Sequence, residues 1–101
     1  MRAAREAASW GAEMRWGAAK AVAVYVDDMR AKFRELVMCH MIADGEDELH
    51  AMAARIGIAR RWYQGDHYDV SLDRRAVAVA LGAREITWRQ CSLMTVLRRR
   101  D

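Results

Sequence analysis

The sequence has no proline, and it also lacks several features that define common protein classes. Its two cysteines, Cys39 and Cys91, form no CxxC pair, which argues against a paired-cysteine zinc site and fits a reducing compartment. It contains no HExxH motif and no Walker or Rossmann glycine loop. The longest apolar run, residues 18–26, includes Lys20 and is far too short to cross a bilayer. We therefore expect a cytoplasmic protein that has no membrane partner.

The chain does have the charge balance of a globular domain. Charged residues make up 31% of the sequence and both signs are interspersed, which is typical of folded rather than disordered chains. The net charge is +3, and among the 17 basic residues only Lys20 and Lys32 are lysines. A solvated basic surface is one interpretation of this charge, and contact with nucleic acid is the alternative.

The composition divides the chain into two parts. Residues 1–19 are rich in alanine and charge, which predicts an N-terminal helical extension or tail, and residues 20–101 are predicted to form a single α/β domain. Ala21–Val26 has the β-branched and aromatic content of a buried strand. Leu36–Ala43 is a second strand candidate, with a helix from near Phe33 as the competing interpretation. The residues between these segments, 29–35, are polar and predict a connection or a short helical turn.

Three helices are expected after the second strand. Each begins at a residue that commonly caps a helix: Asp44, Ser71 and Thr87. The middle helix, which runs to Leu81, is apolar on most sides and should be the most buried one. Residues 58–64 and 84–87 are predicted to add short strands between the helices. The order predicts a small single-domain α/β sandwich with a short, partly parallel sheet and about three packing helices.

Acidic side chains and all three histidines follow or flank the predicted strands. The set comprises Asp27, Asp28, His40, Asp44, His50, His67 and Asp69. Ligands of α/β sheets bind beyond the carboxyl ends of strands, so we expect Asp27, Asp28, His67 and Asp69 to be the catalytic residues that hold an ion or activate water. His40, His50 and His67 are the candidate ligands for a divalent metal such as Zn or Mn. The alternative is that His40 and His50 hydrogen-bond at the edge of a core while the acids cap turns.

Aromatic and polar side chains form a second candidate set. Its members are Tyr25, Arg61, Trp62, Gln64 and Tyr68. They could form a wall that stacks on a base or sugar, with Arg61 neutralising a phosphate. The alternative is that the aromatic rings fill a core that is short of large side chains.

Several motifs occur together in an order that resembles a known family. They are YVDDMR (25–30), MCHMIAD (38–44), ELHAMAARIG (48–57), RRWYQGDHYD (60–69) and RRAVAVALGAREIT (74–87). These segments are similar to the uncharacterised bacterial and phage family called domain of unknown function 4031. The resemblance implies a small cytoplasmic protein, often phage-encoded, and it brings no established activity, substrate or cofactor.

Three functional hypotheses follow from these residues. The leading one is a small hydrolase, metal-dependent or acid/base, that acts on a nucleotide or nucleic-acid phosphate. The second is a non-enzymatic phage accessory module that contacts nucleic acid or a host protein. The third is an obligate homo-oligomer whose methionine-rich helices form the subunit interface.

Overall fold

A computed structural model describes residues 23–100 of the chain. The elements in order are β1 (Val24–Val26), β2 (Ala31–Phe33), β3 (Leu36–Ala43), α1 (Glu46–Arg55), a 3₁₀ turn (Arg60–Trp62), β4 (Tyr68–Ser71), α2 (Leu72–Ala80), β5 (Arg84–Glu85) and α3 (Trp88–Arg100). The prediction of an α/β domain with three helices and a partly parallel sheet is confirmed for this part of the chain. The helical extension predicted for residues 1–19 lies outside the described residues.

Strand β3 is the centre of the sheet, because both of its edges are paired. Its C-terminal end pairs antiparallel with β1 and its N-terminal end pairs antiparallel with β2. Its middle pairs antiparallel with β4. Met38 and Met41 each have partners in two strands, so β4 lies along the edge opposite β1 and β2. Strand β5 extends the sheet beside β1 and runs parallel to it.

The hydrophobic core lies between one face of this sheet and helices α1 and α2. Alternate strand residues point to the same face. The buried strand residues on this face are Val24, Val26, Cys39, Met41, Ala43, Tyr68 and Val70, and they meet Leu49, Met52, Ala53, Ile56 and Ala78 from the helices. Helix α3 covers the opposite face, where Ile42 and Cys91 are buried. The sheet is therefore enclosed between helices on both faces, and His40 lies on the α3 side.

Two segments differ from the sequence prediction. Residues 29–35 contain β2 and the tight turn at Arg34 and Glu35, because β3 offers its N-terminal edge to a hairpin partner. Residues 58–64 were expected to form a strand, yet they contain the 3₁₀ turn, in which Trp62 N–H donates to the carbonyl of Ala59 (3.0 Å). The free edge of β3 is taken instead by β4.

The capping predictions hold for two of the three helices. Ser71 Oγ accepts a hydrogen bond from the backbone N–H of Arg74, and Thr87 Oγ1 accepts one from the N–H of Gln90. The prediction of Asp44 as the first cap is wrong, because Gly45 occupies that position without a side-chain cap. Asp44 Oδ2 instead accepts hydrogen bonds from the N–H of Ala23 and the hydroxyl of Tyr25.

The prediction that the middle helix is the most buried is also wrong. Within α2 only Ala78 is buried, and Leu72 and Val77 are exposed. Val79 is only partly buried against the core. Helix α1 is more deeply packed, since Leu49, Met52 and Ala53 are all buried.

Replacing the cap of α2 tests this fold locally. Ser71→Ala removes the acceptor for the N–H of Arg74 and should lower the free energy of unfolding by about 1 kcal/mol. Urea unfolding followed by circular dichroism measures the change. Ser92→Ala, at an exposed position of α3, is the control and should leave stability near the wild-type value. Equal stability of the two variants would contradict a capping role for Ser71.

Candidate functional site

Asp27 directly follows β1, and its side chain is 0% exposed. Its Oδ1 accepts hydrogen bonds from the backbone N–H of His40 (2.8 Å) and of Met29 (3.3 Å). Its Oδ2 lies 2.8 Å from Nδ1 of the His40 ring. The N–H of Asp27 in turn donates to the carbonyl of His40 (3.1 Å). The carboxylate therefore continues the pairing with β3 at the point where the chain leaves β1.

This contact changes the protonation of both partners. Burial by itself raises the pKa of Asp27, but the hydrogen bonds from the ring and backbone of His40 outweigh it, and the pKa falls below 3.8. The hydrogen bond to Asp27 raises the pKa of His40 above 6.5, although burial opposes this change. In the metal-free protein the pair is therefore stabilised as carboxylate and imidazolium.

The other side of the His40 ring faces β4. His40 and Asp69 are direct partners in the β3–β4 ladder, so their side chains project from the same face of the sheet. Nε2 of His40 lies 4.0 Å from Oδ1 of Asp69. His67, just before β4, places its own Nε2 3.4 Å from the same oxygen. The two imidazole rings are in an edge-to-face arrangement with centroids 5.0 Å apart.

Both histidines have the same kind of second partner. Nδ1 of His40 contacts Asp27, and Nδ1 of His67 lies 2.6 Å from Oδ1 of Asp66. Histidines that bind metals are usually oriented in this way, with one ring nitrogen held by a carboxylate and the other directed at the ion. One donor atom each from His40, His67 and Asp69 lie within 4.8 Å of one another. Two imidazoles and a carboxylate are a donor set suited to Zn, Mn or Fe(II).

A second group, Asp27, His40 and Cys91, meets the same distance criterion on the buried side of His40. Burial, followed by the neighbouring charge of Asp27, raises the pKa of the Cys91 thiol to about 12. A thiol in this state is a poor nucleophile, since attack requires the thiolate. Asp27 and Cys91 are also buried, and both oxygens of Asp27 already accept hydrogen bonds. The solvent-accessible group of His40, His67 and Asp69 is therefore the better candidate.

Two of the predicted site residues lie elsewhere. Asp28 Oδ1 accepts a hydrogen bond from the N–H of Trp88 (2.7 Å), where a carboxylate favourably meets the positive end of α3. Nδ1 of His50 lies 2.7 Å from the hydroxyl of Tyr68, and its Nε2 lies 3.2 Å from Glu46. Tyr68 belongs to the opposite face of β4 from Asp69, so His50 is separated from the other two histidines by the sheet.

The predicted substrate-binding residues are also divided. Arg61, Trp62 and Gln64 line one open cleft of about 690 Å³. Tyr68 is fully buried, and the hydroxyl of Tyr25 is bonded to Asp44 instead. Neither tyrosine lines the cleft.

Asp69 connects this cleft to the histidines. It is among the residues that line the cleft, and its Oδ2 accepts a hydrogen bond from the side-chain amide of Gln64 (2.8 Å). Its Oδ1 is the oxygen that faces His40 and His67. A ligand in the cleft would therefore lie beside the candidate metal centre.

Comparison with known proteins identifies a family. A family model described as Protein of unknown function (DUF4031) matches residues 24–100. The chain belongs to this family. The match includes the residues of the candidate metal centre. Searches of curated proteins and of solved structures find no match. In the described part of this DUF4031 protein no helix is long and apolar enough to span a membrane.

Sequence reasoning missed two residues that support the site of this DUF4031 protein. Asp66 orients His67, and its position directly before that histidine was the only available signal. Arg75 Nε donates to the carbonyl of Asp27 (2.9 Å) across 48 positions of the chain, and its NH1 group contacts Glu85. No local pattern in the sequence could have indicated that contact.

The shifted pKa values predict the pH dependence of the metal-free protein. The lowered pKa of Asp27 gives stability that is present above pH 3.8 and is lost as the pH falls through the lowered value. The raised pKa of His40 gives stability that is complete below pH 6.5 and is lost as the pH rises through the raised value. NMR titration of the ring should therefore show His40 titrating above 6.5, and Asp27→Asn should lower that value. A wild-type His40 pKa at or below 6.5 would contradict the assigned contact.

Proposed function

We propose that this protein is a small metal-dependent hydrolase that acts on the phosphate of a nucleotide or nucleic acid. The observation that carries the proposal is the matched orientation of His40 and His67. Each has Nδ1 held by a carboxylate and Nε2 near Oδ1 of Asp69. Histidines that serve only to fill a core would not need this shared direction.

The three proposed ligands are exposed to a degree that suits catalysis. The side chains of His40, His67 and Asp69 are partly exposed, so substrate and water can reach them. A divalent ion held there would supply a Lewis acid and an activated water. Asp27 and Asp66 would fix the tautomer of the two rings, with the Nδ1 proton directed at a carboxylate and Nε2 left to bind.

The phosphate specificity rests on the basic residues of the adjoining cleft. Arg61 and Arg74 line it together with Asp69. The guanidinium group is a planar, permanently charged fork that matches a phosphate. Among the described residues Arg61 has no carboxylate partner, and its one ring contact is with Trp62. Its charge is therefore available to a ligand.

A binding role without catalysis is the second candidate. The observation in its favour is that the cleft has a basic and aromatic lining that could bind a ligand without a metal ion. In that case His40, His67 and Asp69 would form a structural hydrogen-bonding group. The first candidate requires hydrolysis that depends on these three side chains, whereas the second requires no hydrolysis.

Metal binding is the first test of the proposed site. Purified protein incubated with Zn²⁺ or Mn²⁺ and then desalted should retain about one ion per chain by elemental analysis. His67→Ala and Asp69→Asn should each lower the affinity by tenfold or more, because each removes a proposed ligand. His50→Ala is the matched control, since His50 lies on the other face of the sheet and should bind metal like the wild type. Retention of metal at wild-type affinity by His67→Ala would remove His67 from the site.

Hydrolysis is the second test. The metal-loaded protein should cleave bis(p-nitrophenyl) phosphate, and chelation should stop the reaction until the ion is restored. Asp27→Asn should slow cleavage about 10- to 100-fold, because it leaves His40 without its orienting carboxylate. Absence of cleavage by protein shown to contain the ion would contradict the hydrolase proposal. Cleavage that persists after complete metal removal would favour acid/base catalysis by the same residues.

A further inference from the structure

The cleft beside Asp69 has the dimensions and lining of a ligand site in its own right. It lies between the β2–β3 hairpin and the 3₁₀ turn, and its volume of about 690 Å³ is within the range of small-molecule sites. We call it the aromatic groove and define it here by Phe33, Leu36, Arg61, Trp62 and Asp69. Phe33 and Leu36 come from the hairpin, whereas Arg61 and Trp62 come from the turn.

The aromatic rings of the groove are unusually accessible. Phe33 is 51% exposed and Trp62 is 56% exposed, and Leu36 beside them is also exposed. Large apolar side chains gathered in one concavity and left in contact with water commonly mark a binding surface. These rings therefore offer flat apolar faces to a ligand.

Each ring is accompanied by an arginine. Cζ of Arg34 lies 5.3 Å from the centroid of Phe33, and Cζ of Arg61 lies 5.4 Å from the centroid of Trp62. In the part of the chain that the structure describes, neither guanidinium forms a salt bridge with a carboxylate. The groove thus offers two exposed aromatic rings, each with an uncompensated guanidinium over one of its faces.

We infer that the aromatic groove binds an unpaired segment of single-stranded nucleic acid. Bases would stack on Trp62 and Phe33, and the phosphates between them would contact Arg61 and Arg34. A polynucleotide repeats a flat base and a negative phosphate along its length, which matches two ring–arginine pairs better than a single nucleotide does. A duplex fits less well, because its bases are stacked on one another and cannot present their faces to the rings.

Asp69 places this groove at the candidate metal centre. One carboxylate oxygen is bonded to Gln64 and the other faces the two histidines. A strand in the groove would therefore bring a phosphodiester to the proposed hydrolytic site. This last step rests on the proposed function, whereas the binding of the strand to the groove does not.

Binding of a fluorescein-labelled oligothymidylate, measured by anisotropy at low salt in the presence of EDTA, tests the inference. Trp62→Ala should weaken binding about tenfold or more, since it removes a stacking surface. Arg61→Gln should weaken binding and reduce its salt dependence, because one fewer phosphate is neutralised. Trp88→Ala and Arg89→Gln are matched controls on α3, with Trp88 51% exposed and outside the groove, and both should bind like the wild type.

Competition with unlabelled ligands distinguishes between the possible ligands of the groove. Unlabelled single-stranded DNA or RNA of the same length should displace the probe, whereas a duplex and thymidine monophosphate should do so only at much higher concentration. Equal competition by the mononucleotide would overturn the inference in favour of a free nucleotide. Equal competition by the duplex would overturn it in favour of backbone contact alone. Absence of binding at low salt would also overturn it.

A further variant separates this test from a folding defect, and the EDTA in the assay separates it from catalysis. Phe33→Ala removes the ring on the hairpin side and should weaken binding as Trp62→Ala does, so a local folding defect in either variant cannot produce the full pattern. Unfolding curves confirm that each variant is folded. Because EDTA removes any bound ion, failure of the metal centre leaves the groove inference standing. Wild-type binding by both Trp62→Ala and Phe33→Ala would overturn it.

Discussion

The buried carboxylate of Asp27 is the interaction on which the rest of the structure depends. A carboxylate removed from water is costly unless hydrogen bonds and an opposite charge compensate it, and here His40 and Met29 supply both. By accepting the N–H of His40, the side chain takes the place of a backbone partner where β1 ends. The chain then turns, and its next strand, β2, pairs with the same edge of β3. The carbonyl of Asp27 also accepts from Arg75, which ties α2 to this point.

The same contact connects stability to the site. Asp27 holds Nδ1 of His40, so the direction of Nε2 towards Asp69 follows from the core and not from a flexible surface. Its neighbour Asp28 has a different role, because its side chain accepts a hydrogen bond from the first N–H of α3. That helix brings Cys91 over the buried carboxylate, where the thiol remains protonated with a pKa of about 12. Two adjacent acids thus fix a strand end and the helix that covers it.

The parts of this structure that sequence could predict are those determined locally. Leu36–Ala43 has the predicted bounds because its continuous apolar run suits a central strand, and Ser71 and Thr87 cap helices through bonds within three residues. The strand predicted at residues 58–64 is wrong, because the free edge of β3 pairs with β4 instead. That pairing is a long-range contact, and local sequence does not indicate which segment makes it. In the sequence His40 and His50 are both candidate metal ligands, and only the pairing of His40 with Asp69 in the sheet distinguishes them.

The segment from Gln64 to Asp69 connects the groove to the candidate metal centre. The backbone N–H of Gln64 donates to the carbonyl of His67 (2.9 Å), and its side-chain amide donates to Asp69. Both contacts join the residues that follow the 3₁₀ turn to two proposed ligands. Gln64 follows Trp62 by two residues, so this segment connects the groove to Asp69. On the other side of His40, Asp27 is buried and fully bonded. The candidate site therefore combines one histidine fixed by the core with a carboxylate that also lines the groove.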